Sequence, residues 1–286
     1  MNNFPTSDLI QESGCKILWI ISFDNKEIQI EIKKSNGIEP IIKAMNNFPK
    51  NDLIQENGCG ALSNIVVDNK EIKIEIKKLN GIEPIINAMN NFPKNDLIQE
   101  SGCVILGSIS FDNKEIQIEI KKLNGIKPII NAMNNFPDNR DIQYRGCGAL
   151  GIISFDNKEI QIEIKKLNGI EPIINAMNNL PYNQDIQYRG CEALGIISFD
   201  NKEIQIEIKK LNGIKPIINA MNNFPDNRDI QYRGCEALGI ISFDNKEIQI
   251  EIKKLNGIKP IINAMNNLPY NQDIQATGNF VLQSLK

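Results

Sequence analysis

The sequence has no histidine, one tryptophan and no excess of basic residues. Without imidazole, a Ser-His-Asp triad, a Cys-His pair and His-ligated zinc are excluded. No run of about 18 apolar residues is present, so no membrane span is predicted. Basic and acidic residues number 32 and 35, and the net charge of −3 argues against a nucleic-acid partner. We expect no metal and no cofactor.

Cysteine is sparse, and its spacing points away from chemistry. One cysteine occurs per 44 residues, at Cys15, Cys59, Cys103, Cys147, Cys191 and Cys235. Zinc sites group their ligands closely and disulfide frameworks mix spacings, so we interpret these residues as small core side chains. The N-terminus lacks the basic and apolar regions of a signal peptide. We therefore expect the cytoplasm, with the nucleus as the alternative.

The most prominent feature that the sequence does contain is a repeat. The segment Met-Asn-Asn-Phe/Leu-Pro recurs every 44 residues, opening at Met1, Met45, Met89, Met133, Met177, Met221 and Met265. A period of this length is typical of a solenoid, a propeller or another array. A propeller blade needs four strands, and each unit has only one alternating stretch, so a helical solenoid is favoured.

The first segment of a unit, taken over residues 156–169, fits two patterns. Ile160, Ile162 and Ile164 alternate with polar residues, as in a strand. Asp156 and Glu159, however, have the spacing of a capping box, and Gly169 can take the left-handed closing position. These end signals favour a short helix.

Two further helices follow in the same unit. Pro172 suits the first turn of the second helix, and Pro181 ends it. The apolar positions of the third helix are Ile186, Gly190, Ala193, Leu194 and Ile197. Because glycine weakens a helix, its presence at this position in all seven copies predicts a close approach that excludes a side chain. The Asn pair after each Met is interpreted as structural.

The pattern Asp-Asn-Lys-Glu-Ile…Ile…Gly-Ile-x-Pro-Ile-Ile…Gly-Cys-x-Ala-Leu-x-x-Ile, read from Asp156 to Ile197, resembles the armadillo repeat. HEAT repeats have a similar length and are the nearest alternative. The resemblance covers the whole chain and implies an all-α, right-handed α-solenoid, a superhelix of three-helix repeats. We predict a single solenoid over 1–286, with an orphan third helix at 1–23 and repeats at 24–67, 68–111, 112–155, 156–199, 200–243 and 244–286. The N-terminal end shows no dedicated cap, so a longer parent protein is an open alternative.

The resemblance implies that the third helices line a concave groove that holds an extended peptide. In that family a Trp and an Asn one turn apart on the third helix hold the peptide. Here the Trp position holds Lys16, Gly60, Val104, Gly148, Glu192, Glu236 and Phe280, and the Asn position holds Ile20, Asn64, Ser108, Ile152, Ile196, Ile240 and Ser284. Only Asn64 matches, which disfavours an adaptor of the nuclear-import type.

A different face repeats instead, and it supplies the candidate partner-binding residues. They are Arg145, Arg189, Arg233, Glu192, Glu236, Ile152, Ile196 and Ile240, with Asn64 and Trp19 in the first half of the chain. One interpretation is a mixed-charge groove with an apolar strip. The alternatives are solvated Arg–Glu pairs within each helix, isoleucines buried between helices, and a core role for Trp19.

The predicted function is a non-catalytic scaffold or adaptor that binds a partner protein or extended peptide along this groove. No phosphate-binding loop, separate carboxylate pair or metal-spaced cluster interrupts the repeats, so no enzyme activity is predicted. The alternative is a structural component that self-associates end to end or decorates a cytoskeletal or axonemal assembly.

Overall fold

The computed structural model describes residues 1–66 and 70–285, which contain nineteen α-helices and no strand. They divide into two compact units, residues 1–136 and 137–286. The predicted start of one repeat at Asp68 and the predicted end of another at Lys286 lie outside the described residues. The division into six repeats within a single domain stays a prediction.

Unit 1 repeats one order of short, medium and long helices. Its first helices are α2 (Lys26–Lys34), α5 (Lys70–Lys78) and α8 (Lys114–Lys122). Its second helices are α3 (Ile38–Asn47), α6 (Ile82–Asn91) and α9 (Ile126–Asn135). Its third helices, α1 (Asp8–Ser22), α4 (Asp52–Val66) and α7 (Asp96–Ser110), pack side by side in chain order.

Unit 2 has the same organisation. Its first helices are α11 (Lys158–Lys166), α14 (Lys202–Lys210) and α17 (Lys246–Lys254). Its second helices are α12 (Ile170–Asn179), α15 (Ile214–Asn223) and α18 (Ile258–Asn267). Its third helices, α10 (Arg140–Ser154), α13 (Gln184–Ser198), α16 (Arg228–Ser242) and α19 (Gln272–Ser284), pack successively against one another.

The ambiguous first segment is a helix, but its ends differ from the prediction. Asn157, not Asp156, is the N-cap of α11, and its side chain accepts a hydrogen bond from the Ile160 amide at 3.3 Å. Asp156 precedes it with φ 51°. At the other end Asn168 takes the left-handed conformation with φ 56°, while Gly169 has φ −76° and is the N-cap of α12. Asparagine tolerates the left-handed region, so it could replace the predicted glycine there.

The core lies where the apolar periodicity predicts it. In the repeat that contains α13, the predicted positions Ile186, Gly190, Ala193, Leu194 and Ile197 are buried. The glycine prediction needs one correction: the close neighbour is a side chain of the second helix. A Cβ built on Gly190 would lie 2.5 Å from Met177 Sδ, so the methionine occupies the space that a side chain would need.

The second asparagine after the methionine links one repeat to the preceding one. Asn223 Nδ2 donates to the Pro181 carbonyl at 3.1 Å, and Asn91 Nδ2 donates to the Pro49 carbonyl at 3.1 Å. The structural interpretation of the second asparagine is therefore supported by a specific hydrogen-bond partner. Each bond joins the turn that follows one second helix to the C-terminal end of the next second helix.

Candidate functional site

In unit 1 the two predicted binding residues contact each other across neighbouring third helices. Asn64 Nδ2 donates to the Trp19 carbonyl at 3.0 Å and to Ser22 Oγ at 3.2 Å. The Trp19 indole lies over Gly60, where a Cβ would come within 2.7 Å of the ring. Both Trp19 and Asn64 are half-buried. They fasten α4 to α1, and a role of either in partner binding stays a prediction.

In unit 2 the predicted arginines form a stack with tyrosines that the sequence analysis did not single out. We call Tyr144, Arg145, Tyr188, Arg189, Tyr232 and Arg233 the Tyr–Arg ladder. Arg189 Cζ lies 5.1 Å from the Tyr144 ring centroid and 5.3 Å from that of Tyr188. Arg233 Cζ lies 5.8 Å from the Tyr188 centroid and 5.4 Å from that of Tyr232. Each of these guanidinium groups is thus held between tyrosines of two successive helices.

Two carboxylates complete the ladder. Glu192 accepts from Arg189 at 2.6 Å within α13 and from Arg233 of the next third helix at 2.7 Å. Glu236 accepts from Arg233 at 2.8 Å within α16. The side chain of Glu192 is 12% exposed and that of Arg233 is 26% exposed. The charges are therefore half-buried and pair both within a helix and between helices.

Burial and pairing act in opposite directions on these guanidinium groups. Burial lowers the pKa of Arg233, but hydrogen bonding to Glu236 and the charge of Glu192 outweigh it and raise the pKa above its ordinary value. Burial also lowers the pKa of Arg189, and its bonds to Tyr144 and Glu192 raise it overall. Both arginines therefore stay charged, and the ladder keeps its row of cations.

Arg145, at the α10 end of the ladder, has a different environment. It is exposed, and its Cζ lies 5.0 Å from the Tyr144 ring centroid. The position that holds a glutamate in α13 and α16 holds Gly148 in α10. Within the described residues of unit 2, Arg145 has no carboxylate partner within 4.0 Å. Its guanidinium group is exposed to solvent beside the Tyr144 ring.

The predicted isoleucine row is neither a fully exposed strip in a groove nor fully buried between helices. Ile152, Ile196 and Ile240 are half-buried. Ile196 Cδ1 would be 3.8 Å from a Cβ on Gly151, and Ile240 Cδ1 would be 3.7 Å from one on Gly195. Each of these two side chains therefore packs on the preceding third helix and leaves part of its surface uncovered.

A row of exposed phenylalanines was missed. Phe155, Phe199 and Phe243 follow the third helices α10, α13 and α16 and are 60%, 60% and 56% exposed. Phe243 stacks on Phe280 of α19 with centroids 6.0 Å apart and planes at 17°. The signal in the sequence is the recurrence of Ser-Phe-Asp-Asn at the end of third helices, an apolar residue in an otherwise polar turn.

Three of these aromatic side chains line a cavity of about 770 Å³ in unit 2. We call it the Phe pocket and define it by Phe199, Phe243, Phe280, Gly239 and Ile240. It connects with the Tyr–Arg ladder through Glu236, which lines the cavity and pairs with Arg233.

The six cysteines are buried and form no disulfide. Burial raises the pKa of the Cys15, Cys59, Cys147 and Cys235 thiols to about 12, so they are not thiolates near neutral pH. In residues 1–66 and 70–285, no three His, Cys, Asp or Glu side chains are grouped to bind a metal ion. No helix in the same residues has the length and apolarity needed to cross a membrane.

Similarity to solved structures supports the armadillo-type solenoid fold. One designed armadillo repeat protein, YIII(Dq)4CqI, has a TM-score of 0.75 at 12% identity, with 87% of this chain and all of that one covered. Another, YIII(Dq.V1)4CPAF in complex with the peptide (KR)4, has a TM-score of 0.72 at 11% identity, covering 87% and 99%. A third, a computationally designed armadillo repeat protein for modular peptide recognition, has a TM-score of 0.74 at 12% identity, covering 87% and 100%.

No curated protein matches the sequence. The family model described as LRRK2 ARM repeat, however, matches residues 1–168, which is more than half of the chain. Together with the all-helical repeats of both units, this match identifies the family. The chain belongs to the LRRK2 ARM repeat family of armadillo-repeat proteins.

Proposed function

We propose that this chain is a non-catalytic scaffold that binds an extended segment of a partner protein along the third helices of unit 2. The observation that carries the proposal is the Tyr–Arg ladder, in which stacked, half-buried cations recur once per repeat. A partner in extended conformation can contact such a surface at successive positions. Armadillo-repeat structures of similar fold include one in complex with a peptide and one designed for peptide recognition, which supports this class of partner.

The charge at Arg145 indicates one property of the peptide. Arg189 and Arg233 are paired with glutamates, whereas Arg145 lacks such a partner within unit 2. A guanidinium held flat on an aromatic ring presents its outer edge to a carboxylate. The proposed peptide therefore carries an acidic residue at this point, unlike the alternating Lys/Arg peptide named for one designed relative.

The proposal predicts that the intact chain selects linear peptides from a random display library and that these peptides contain acidic residues. Arg145→Glu should weaken their binding by about tenfold or more, because an attractive contact becomes repulsive. Isothermal titration calorimetry with the selected peptides, made synthetically, measures the change.

The matched control is Lys254→Glu, the same charge reversal at an exposed position of the first helix α17. It should change the affinity by less than about twofold. Failure to select any peptide, or equal losses in the two variants, would contradict the proposal.

The proposed compartment is the cytoplasm, with the nucleus as the alternative, and six buried thiols that form no disulfide favour a reducing environment. A fluorescent fusion in living cells tests this. End-to-end self-association stays a separate prediction, and light scattering across a concentration series tests it: a constant mass would exclude it.

A further inference from the structure

The Phe pocket is large and mainly apolar, although it lies on a surface whose other repeats are charged. Its volume of about 770 Å³ falls in the range of about 300–1,000 Å³ that is typical of ligand sites. The stacked rings of Phe243 and Phe280 line it together with Phe199. Gly239 and Ile240 add further apolar lining.

Three sequence differences in α19 create this pocket. Where α16 has Tyr232, Arg233 and Glu236, α19 has Ala276, Thr277 and Phe280. All three α19 residues line the cavity. Two large side chains are thus replaced by small ones, which opens space, and a carboxylate is replaced by an aromatic ring, which makes the wall apolar.

The rings that line the pocket are partly exposed. Phe280 is 46% exposed, and Phe199 and Phe243 are more exposed still. Three partly exposed rings around one cavity are typical of a contact surface.

The charged groups at the rim of the pocket are already paired. Asp200 binds Lys158, Asp244 binds Lys202 at 3.0 Å, and Glu236 binds Arg233 at 2.8 Å. The carboxylates therefore set no preference for a basic neighbour, and the exposed aromatic rings are the surface that an incoming side chain would contact.

We propose that the Phe pocket binds large apolar side chains of an extended peptide. This inference rests on the proposed function, because the pocket joins the Tyr–Arg ladder at Glu236. The peptide would thus place its acidic residue near Arg145 and its apolar residues near α19.

The test compares peptides selected from a random display library on the intact chain with their binding to a pocket variant. The variant combines Ala276→Tyr, Thr277→Arg and Phe280→Glu, so that α19 carries the side chains found at the same positions in α16. These side chains fit the repeat, and circular dichroism checks that the variant is folded. We expect the selected peptides to contain a large apolar residue and to lose at least about tenfold in affinity for the variant.

Phe243→Ala provides a second, single change in the same pocket and should also weaken binding by about tenfold. Tyr270→Ala, at a residue that is 97% exposed in the turn before α19, is the control and should leave the affinity unchanged. Peptides that bind the pocket variant and the unmodified chain equally would overturn this inference while the proposed function stands. Selected peptides without large apolar residues would do the same, and selection of no peptide would overturn both.

Discussion

At the scale of single residues, a methionine explains the recurring glycine of the third helices, as at Gly14, Gly58, Gly102, Gly190, Gly234 and Gly278. The Met177 side chain lies where a Cβ of Gly190 would be, and Met221 has the same relation to Gly234. The flexible thioether fills the space between second and third helices that a glycine leaves. Gly148 is different, because a Cβ there would be 3.6 Å from its nearest neighbour, Arg189 Nε.

Two glycine-to-alanine changes should therefore have opposite effects. Gly190→Ala should lower the free energy of unfolding by about 1–3 kcal/mol, since the new methyl group overpacks against Met177. Gly148→Ala should raise it by up to about 1 kcal/mol, because alanine favours the helix and has room. Urea unfolding followed by circular dichroism measures both. A gain in stability for Gly190→Ala would show that Met177 moves aside without strain.

At the scale of helices, a buried glutamine docks each third helix on the end of the second. Gln187 Nε2 donates to the Met177 carbonyl at 2.8 Å and to the Leu180 carbonyl at 3.0 Å. Carbonyls at a helix end have no partner within their own helix, so these bonds satisfy groups that burial would otherwise penalise. The same pair of bonds is made by Gln55, Gln99, Gln231 and Gln275.

Replacing this glutamine should lower the free energy of unfolding, even when the new residue is apolar and of similar size. Gln187→Leu leaves the buried Met177 carbonyl without its donor, while the Leu180 carbonyl keeps the bond from the Asn183 amide at 3.1 Å, and we expect a loss of about 1–3 kcal/mol. The control is Gln283→Leu at an exposed position of α19, where the change should stay within about 0.5 kcal/mol. Thermal and urea unfolding of both variants would decide the matter, and equal stabilities would contradict the docking role.

At the scale of the whole molecule, contacts between adjacent repeats hold the repeats of each unit together. In unit 2, Glu192 of α13 binds Arg189 of its own helix and Arg233 of α16. On the first helices, Lys165 binds Glu203 at 2.9 Å and Lys209 binds Glu247 at 2.8 Å. The hydrogen bond from Lys165 lowers the pKa of Glu203, but this carboxylate is fully exposed and so screened by solvent. Coupling between repeats should therefore depend more on the ladder than on the surface ion pairs.

Glu192→Ala should consequently destabilise unit 2 more than Glu236→Ala does. It removes the carboxylate shared by two half-buried arginines, for an expected loss of about 2 kcal/mol. Glu236→Ala leaves Arg233 paired with Glu192, so we expect less than about 1 kcal/mol. Because stability in a repeat array includes the interfaces between neighbours, the Glu192 variant should also unfold over a broader range of urea. Equal effects of the two changes would argue against coupling through Glu192.

Much of the fold follows from local signals in the sequence. Pro172 in a first turn, lysines in the last turn of α11 and the apolar spacing of α13 all predicted helices that are present. The exact caps did not follow, because Asn157 and Asp156, or Asn168 and Gly169, are adjacent and each suits a helix end. The choice between them depends on backbone geometry that spacing does not reveal.

The sequence by itself determined the repeat, its three helices and the apolar stripe of the third helix, because period, end signals and apolar spacing act within about 44 residues of chain. Only the tertiary structure decided what the repeated polar face does. Arg233 meets Glu192 and Tyr188 of the preceding repeat, and Phe243 meets Phe280 of the following one. Such contacts depend on the distance and rotation between stacked helices. They turn predicted surface charges into a half-buried ladder and a row of turn phenylalanines into a pocket.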